Sequence, residues 1–501
     1  MRDEQENTYK KILKTTSLFG SIQLFGLFIS IVRSKVLAVL IGPAGYGIFG
    51  ILNTTVEMAK GLTGFSIETS GVKNISEAQL SENPSDVNKT SSLIIKIALL
   101  TGLIGVLLTA LFSKYLSYLA FKNDDGILLI ILVSFSILFK QITSAQSAIF
   151  QGLSKLKFLA KVNFYTNLFS LLITLPLYFF FRVNAIVPAI VLSSITGVVV
   201  SVFFYKKLNI PRYKLSLKDT LKEGKSILYF GGLLSLTAFL PGLVNYSIQI
   251  FINKYGGLTE VGIFNITLVI VNTYLGVVFT AMSTEYYPRL VSLKKDRHKE
   301  TEAVNSQAVL SMLIIVPVVV FFLGFASLIV KLFFSEKFLN SLPMLSWAII
   351  GVFFKAVSFS MGYIIIARAD SKVFTKTAIL FNLLYLSLCL AGYHLMGLKG
   401  IGIAMACYFL LHLICIYFLI RIRYSIYLSH EFYRIFISGL FFCALAAVFY
   451  HVLNEGFLKI TLFTFLFIIS AILAVFEINK KIGLKSILSG FFKKKNNDHH
   501  R

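Results

Sequence analysis

Charge is scarce in this chain. Only 14% of its 501 residues are Asp, Glu, Lys or Arg, where a soluble domain carries about a quarter. Hydrophobic residues make up 56% and mean hydropathy is +0.79. That balance excludes a soluble globule. Short alternating strands are lacking too: the apolar runs are long and uniform, which points to helices and away from a membrane β-barrel. Cysteine is rare. Cys389, Cys407, Cys415 and Cys443 all sit in apolar runs and form no CxxC pair, so neither a metal site nor a disulfide framework is expected. The histidines of the tail FFKKKNNDHHR are too few and too loosely placed for a metal. No nucleotide-binding motif is present, so ATP is not the expected energy source. A cleavable leader is not expected either, because the polar start MRDEQENTYKKILK runs into an apolar stretch too long for one.

What is present is a series of fourteen apolar runs of membrane-crossing length. They lie near 15–41, 45–72, 91–112, 126–151, 159–181, 185–205, 227–253, 261–287, 304–334, 342–367, 374–396, 400–420, 433–453 and 457–479. The expected fold is all-α and membrane-integral, with short connections and no soluble domain. The formal net charge of +25 reads as topology and not as nucleic-acid binding. Alternate loops carry 34 Lys and Arg on one side, termini included, and 8 on the other. The positive-inside rule then places both termini in the cytoplasm and makes the span count even. Six cations remain inside spans: Arg33, Lys35, Lys60, Lys96, Lys140 and Lys355.

The chain echoes itself. GPAGYGIFGI begins at Gly42 and GLTEVGIFNI at Gly257, 215 residues later. Gly42, Gly47, Ile48, Phe49 and Ile51 match Gly257, Gly262, Ile263, Phe264 and Ile266. SKLKF, ending at Phe158, and ADSKVF, ending at Phe374, fall at a similar offset. Six helices lie between the copies, so both have the same orientation. The expectation is two parallel six-helix lobes around a central cavity: residues 1–208 and 226–425, joined by a basic linker at 209–225, with two further helices and a basic tail in 426–501.

SKVLAVLIGPAGYGIFG followed by GFSIETSGVKNISEA resembles the amino-terminal signature of Wzx-type O-antigen and polysaccharide flippases, in the multidrug/oligosaccharidyl-lipid/polysaccharide exporter superfamily. IIIARADSKVFTKTAILFNLLYLSLCL and GLKGIGIAMA are similar to that superfamily's second-lobe pattern. The resemblance covers most of residues 10–425. It implies a multi-pass protein of the bacterial inner membrane that moves undecaprenyl-diphosphate-linked oligosaccharide to the outer leaflet, by alternating access and with ion coupling. Lipopolysaccharide assembly is the expected setting, with polymerase and chain-length proteins as expected partners. A lipid II flippase and a drug or cation exporter on the same fold stay open. An enzyme is not expected, because the outer loops are short and hold no His, Asp or Glu constellation. The repeat requires no oligomer, and neither a cofactor nor a nucleic-acid partner is expected.

A diphosphate crossing hydrocarbon needs cations in a wet cavity. Arg33, Lys35, Lys60, Lys140 and Lys355 are the candidates. Arg33 and Lys35 lie about 200° apart on a helix, so at most one faces a narrow cavity, and either can snorkel to the headgroups instead. Glu57 and Lys60, three apart, can pair, and Glu68 returns to the angle of Glu57 if the helix continues. Glu57, Glu68 and Glu285 are the carboxylates available to a coupling H+ or Na+. Asn245, Gln249 and Asn253 form one polar stripe, and Asn272 adds an amide. These four could bind sugar, or simply join helices. Pro176, Pro188, Pro241 and Pro317 are candidate kinks.

Overall fold

The computed structural model describes residues 2–482 other than 82, 84 and 295, with side chains from Phe25 to Lys480 except those at 82, 84, 230, 233, 284, 285 and 295. Among the described residues no strand occurs. In hydrocarbon a helix satisfies its own backbone, which an open strand cannot. In chain order the helices are α1 (Arg2–Thr63), α2 (Ile67–Gln79), α3 (Ser85–Leu111), α4 (Ser113–Phe121), α5 (Gly126–Gly152), α6 (Leu156–Phe181), α7 (Ile186–Lys206), α8 (Leu217–Glu223), α9 (Lys225–Leu268), α10 (Gly276–Ser292), α11 (Arg297–Gly324), α12 (Ala326–Phe333), α13 (Leu342–Ala367), α14 (Ser371–Arg423), α15 (His430–Val452) and α16 (Phe457–Ile482).

Ten stretches of the described residues are long and apolar enough to cross a membrane. Four of them hold two crossings each, divided by a turn, so the fold has the expected fourteen. The turns are at Gly42 in α1, at Arg182–Ala185 between α6 and α7, at Gly257 in α9 and at Met396–Gly397 in α14. The non-helical backbone inside these long helices sits at these positions and not at Pro176, Pro241 or Pro317. Pro188 lies in the first turn of α7, where a missing N–H costs nothing.

The internal repeat is visible in the backbone. Gly42 (φ 65°, ψ −175°) and Gly257 (φ 76°, ψ 177°) adopt the same conformation, one a Cβ strongly disfavours. The spacing of 215 residues recurs between Arg182 (φ 49°, ψ −123°) and Gly397 (φ 60°, ψ −145°). It recurs again between Ser154 and Ala369, both at φ 55°. Three of the four helix-reversing turns use glycine, whereas the fourth places Arg182 in glycine's territory. Relief of that backbone strain is offset in part by losing the Arg182 guanidinium from the Phe179 ring, 5.9 Å away. Arg182→Gly is therefore expected to stabilise the purified protein by about 1 kcal/mol, read as a higher unfolding midpoint in detergent; an unchanged or lower midpoint would show that the turn is unstrained.

By packing, the chain forms two compact units, Met1–Ile266 with Leu332–Phe338, and Thr267–Lys331 with Leu339–Arg501. Packing thus divides the chain after Ile266. The repeat divides it between Arg182 and Gly257, the interval that holds the basic linker. Within the first unit, the two glycine-rich copies meet. A Cβ on Gly47 would collide with the carbonyl oxygen of Leu258, and one on Gly262 with that of Pro43. Both halves of this reciprocal contact obey the 215-residue offset. Tyr46 is buried beside them against the rings of Phe334 and Phe338, at 6.2 and 5.8 Å.

In the second unit, α15 and α16 pack on α11, where Gly324 leaves room for the Phe463 ring. Glu300, in the first turn of α11, is fully buried and receives both Nε and Nη2 of Arg368, which follows α13. Removing one partner of such a pair strands a buried charge. Arg368→Met is expected to cost about 3 kcal/mol, a loss that Arg368→Met/Glu300→Gln should largely restore in the same unfolding measurement.

Candidate functional site

Two intramembrane lysines of the first unit, Lys60 and Lys140, are ion-paired. Asn53 and Glu57 lie one turn apart on α1 and so share a face. Glu57 Oε1 accepts from Lys140 Nζ of α5 at 2.6 Å, with Asn53 Oδ1 at 3.4 Å from the same nitrogen. Lys60 Nζ lies 2.7 Å from Glu68 Oε1, which also accepts from the Ser144 hydroxyl at 2.6 Å. Ser144 is one turn beyond Lys140 on α5, so α5 presents both contacts from one face. The lysines keep about a quarter of their side-chain surface and the carboxylates about half or more.

This differs from the expected arrangement in two ways. Glu57 does not pair with Lys60, and 45–72 is not one continuous helix. α1 ends at Thr63, and Phe65 and Ser66 take left-handed backbone angles. The buried Gln141 amide of α5 donates to the Gly64 carbonyl at 2.8 Å, which also accepts from the Ile67 N–H at 3.2 Å, and this anchors the turn. α2 then brings Glu68 back over Lys60, and Lys140 reaches Glu57 from a neighbouring helix. Helical angle alone could describe neither event.

In the second unit, Lys355 of α13 is half-buried. Its Nζ donates to Asn272 Oδ1 at 3.1 Å and stands 5.4 and 5.3 Å from the centres of the Phe279 and Phe409 rings. Among the described residues no carboxylate pairs with it. Asn272 sits in a π-helical segment, Val269–Tyr274, between α9 and α10. Such segments often mark functional positions. One turn beyond Phe409, His412 has a buried Nδ1 with no hydrogen-bond partner, 4.2 Å from Phe381 between ring centres.

The repeat relates the two places. Lys355 follows Lys140 by 215 residues, and Asn272 follows Glu57 by the same number. One lysine–partner geometry therefore occurs twice, with a carboxylate in the first unit and a neutral amide in the second. Asn53, Ser144, Phe279, Phe409 and His412 were not singled out from sequence. Applying the offset to Glu57 and Lys140 would have exposed the asymmetry.

The remaining candidates separate. Arg33 is exposed and takes no part in either ion pair; Lys35 is half-buried. Gln249 and Asn253 are 1% and 6% exposed. Gln249 donates to Thr54 Oγ1 at 2.8 Å and accepts from Asn265 at 3.2 Å, and Asn253 donates to the Ala120 carbonyl at 2.6 Å. Both amides are used in joining helices. Asn245 is half-buried and makes no hydrogen bond among the described residues. Glu285 falls in α10, with its side chain outside the described residues. No group of three or more metal-ligating side chains occurs among the described residues.

Residues 36–343 match the family described as "Polysaccharide biosynthesis protein". The chain belongs to that family. The recognition made from residues 34–78 is thereby borne out. A Shigella flexneri protein, provisionally named as an O-antigen transporter, is 24% identical over 343 residues, which is 66% of this chain and 79% of that one. Among solved structures, lipid II flippase MurJ in an inward closed conformation aligns with a TM-score of 0.73 at 14% identity, covering 93% of this chain and 99% of its own. An inward-facing multidrug MATE transporter of the MOP superfamily aligns at 0.62, with 14% identity, covering 82% and 94%. A mutant of the Vibrio cholerae MATE transporter VcmN aligns at 0.59 with 14% identity, covering 85% and 99%. This member of the polysaccharide biosynthesis family is thus a multi-pass membrane protein with the fold of that superfamily.

Proposed function

We propose that the protein is a flippase for undecaprenyl-diphosphate-linked oligosaccharide, an O-antigen or related repeat unit, in the bacterial inner membrane. Family membership and the name of the Shigella flexneri relative support the polysaccharide cargo. The observation that carries the reading is Lys355, an intramembrane lysine beside Asn272 with no carboxylate among the described residues. A cation held in an apolar run without a counter-ion is costly, and an arriving phosphate offsets that cost. Asn272 supplies a sugar contact beside it. The paired carboxylates Glu57 and Glu68 take the coupling ion, H+ or Na+, which would release Lys140 or Lys60. Movement is by alternating access. A cationic drug would be repelled by Lys355, which disfavours export of such compounds.

The test is reconstitution in liposomes with undecaprenyl-diphosphate oligosaccharide, with and without a pH or Na+ gradient. Gradient-dependent transfer between leaflets is expected. Transfer of lipid II or of a small cation, with none of the oligosaccharide lipid, would keep the fold and overturn the cargo.

A further inference from the structure

A groove of about 810 Å³ runs between α6 and α7, both within the first unit. These helices are antiparallel and joined at Arg182–Ala185. Lys161, near the start of α6, and Lys207, just past the end of α7, therefore stand at the same end of the groove. Between that end and the joint the walls are apolar. Phe169, Leu172, Val199 and Phe203 line the groove and are between 42% and 62% exposed. In a membrane protein an exposed apolar face is ordinarily wetted by lipid of any kind. Two features narrow the occupant here.

First, the charge at the groove's mouth is of one sign. Lys207 Nζ lies 4.3 and 5.4 Å from the ring centres of Phe203 and Phe204. That geometry holds the ammonium over the groove. Among the described residues neither Lys161 nor Lys207 makes an ion pair. Second, nothing acidic is near in sequence. No Asp or Glu occurs between Asp125 and Asp219, a stretch with ten Lys and Arg. A neutral or zwitterionic headgroup would gain little from such a mouth, whereas an anionic phosphate would neutralise it. The positive-inside count places this end at the cytoplasmic face, where anionic lipid and basic pockets between helices meet.

We propose that the α6–α7 groove binds a membrane phospholipid with an anionic phosphate headgroup, its chain lying along Phe169, Leu172 and Val199 and its phosphate held by Lys161 and Lys207. The site shares no residue with the Lys355 and Glu57 centres and does not depend on the flippase reading.

The chain's single tryptophan, Trp347, makes a local test simple. The reporter is the full-length protein carrying Trp347→Phe and Phe169→Trp, reconstituted in phosphatidylcholine vesicles. Brominated phosphatidylglycerol or brominated phosphatidylcholine is then added in steps. The expected result is half-quenching by the anionic lipid at about 30-fold lower mole fraction, the effect of two cations at about 1 kcal/mol each. K161Q/K207Q in the reporter should remove the difference and leave weak quenching by both lipids. Equal quenching by the two lipids with both lysines present would overturn the proposal, as would an undiminished preference in the double variant. Displacement of the brominated phosphatidylglycerol by a small excess of polyprenyl phosphate would assign the groove to the carried lipid instead. A size-exclusion profile matching the parent excludes misfolding as the cause of any change.

Discussion

Asn272→Asp is expected to leave the protein folded and to slow transport by about 10- to 100-fold. The substitution recreates in the second unit what the first already has, a carboxylate facing a lysine at the same repeat position. Asn272 Oδ1 already lies 3.1 Å from Lys355 Nζ, so an aspartate oxygen can take its place with no change of backbone. On the proposed function, the new ion pair would occupy the cation that a diphosphate cargo needs. A hydrogen bond to a charged group contributes about 1.5–3 kcal/mol, which sets the size of the effect. Lys355→Gln should slow transport comparably by removing the charge outright. The measurement is leaflet transfer in liposomes, normalised to protein in the membrane. Wild-type rates in both variants would remove Lys355 from the cargo site. Retained rates in Lys355→Gln with loss in Asn272→Asp would instead mean that negative charge itself is what the site cannot tolerate.

Gly47→Ala is expected to destabilise the protein by about 3 kcal/mol, at the upper end of what overpacking usually costs. The added methyl would enter the space of the Leu258 backbone carbonyl, and a backbone cannot move aside as a flexible side chain can. Gly262→Ala should behave alike, because its methyl meets the Pro43 carbonyl. Gly276 provides the control: a Cβ there meets nothing within 4 Å, so Gly276→Ala should leave the midpoint nearly unchanged. The comparison is of unfolding midpoints of the three purified variants. If Gly47→Ala and Gly276→Ala unfold together, the close approach of the two repeat copies is not a feature of the folded state.

Both predictions depend on the repeat, which was only partly legible. Matching GPAGYGIFGI with GLTEVGIFNI identifies the offset, because identical residues at a strained glycine turn survive as letters. The same offset links Arg182 to Gly397 and Ser154 to Ala369, where a positive φ repeats but the residue does not. At these positions the equivalence lies in the backbone angles and not in residue identity, although SKLKF and ADSKVF leave a trace beside the second pair. Likewise, Glu57 and Asn272 share a position but differ in charge, so a search for similar residues passes over the pair that matters most.

The apolar runs and the basic loops were sufficient by themselves for a membrane-integral, all-helical chain with an even number of crossings, twelve or fourteen. Length and hydrophobicity decide whether a segment can lie in hydrocarbon, and both are local sums over a sequence. Which intramembrane charges meet was decided only by tertiary structure. Lys140 reaches Glu57 across 83 residues, and Lys60 meets Glu68 only because the chain turns at Gly64–Ser66. Gln249 and Asn253 are spent on contacts with Thr54 and Ala120, which no helical angle on their own segment could disclose. An ion pair or an interhelical amide is set by a partner from another helix, and a periodicity reads only one helix at a time.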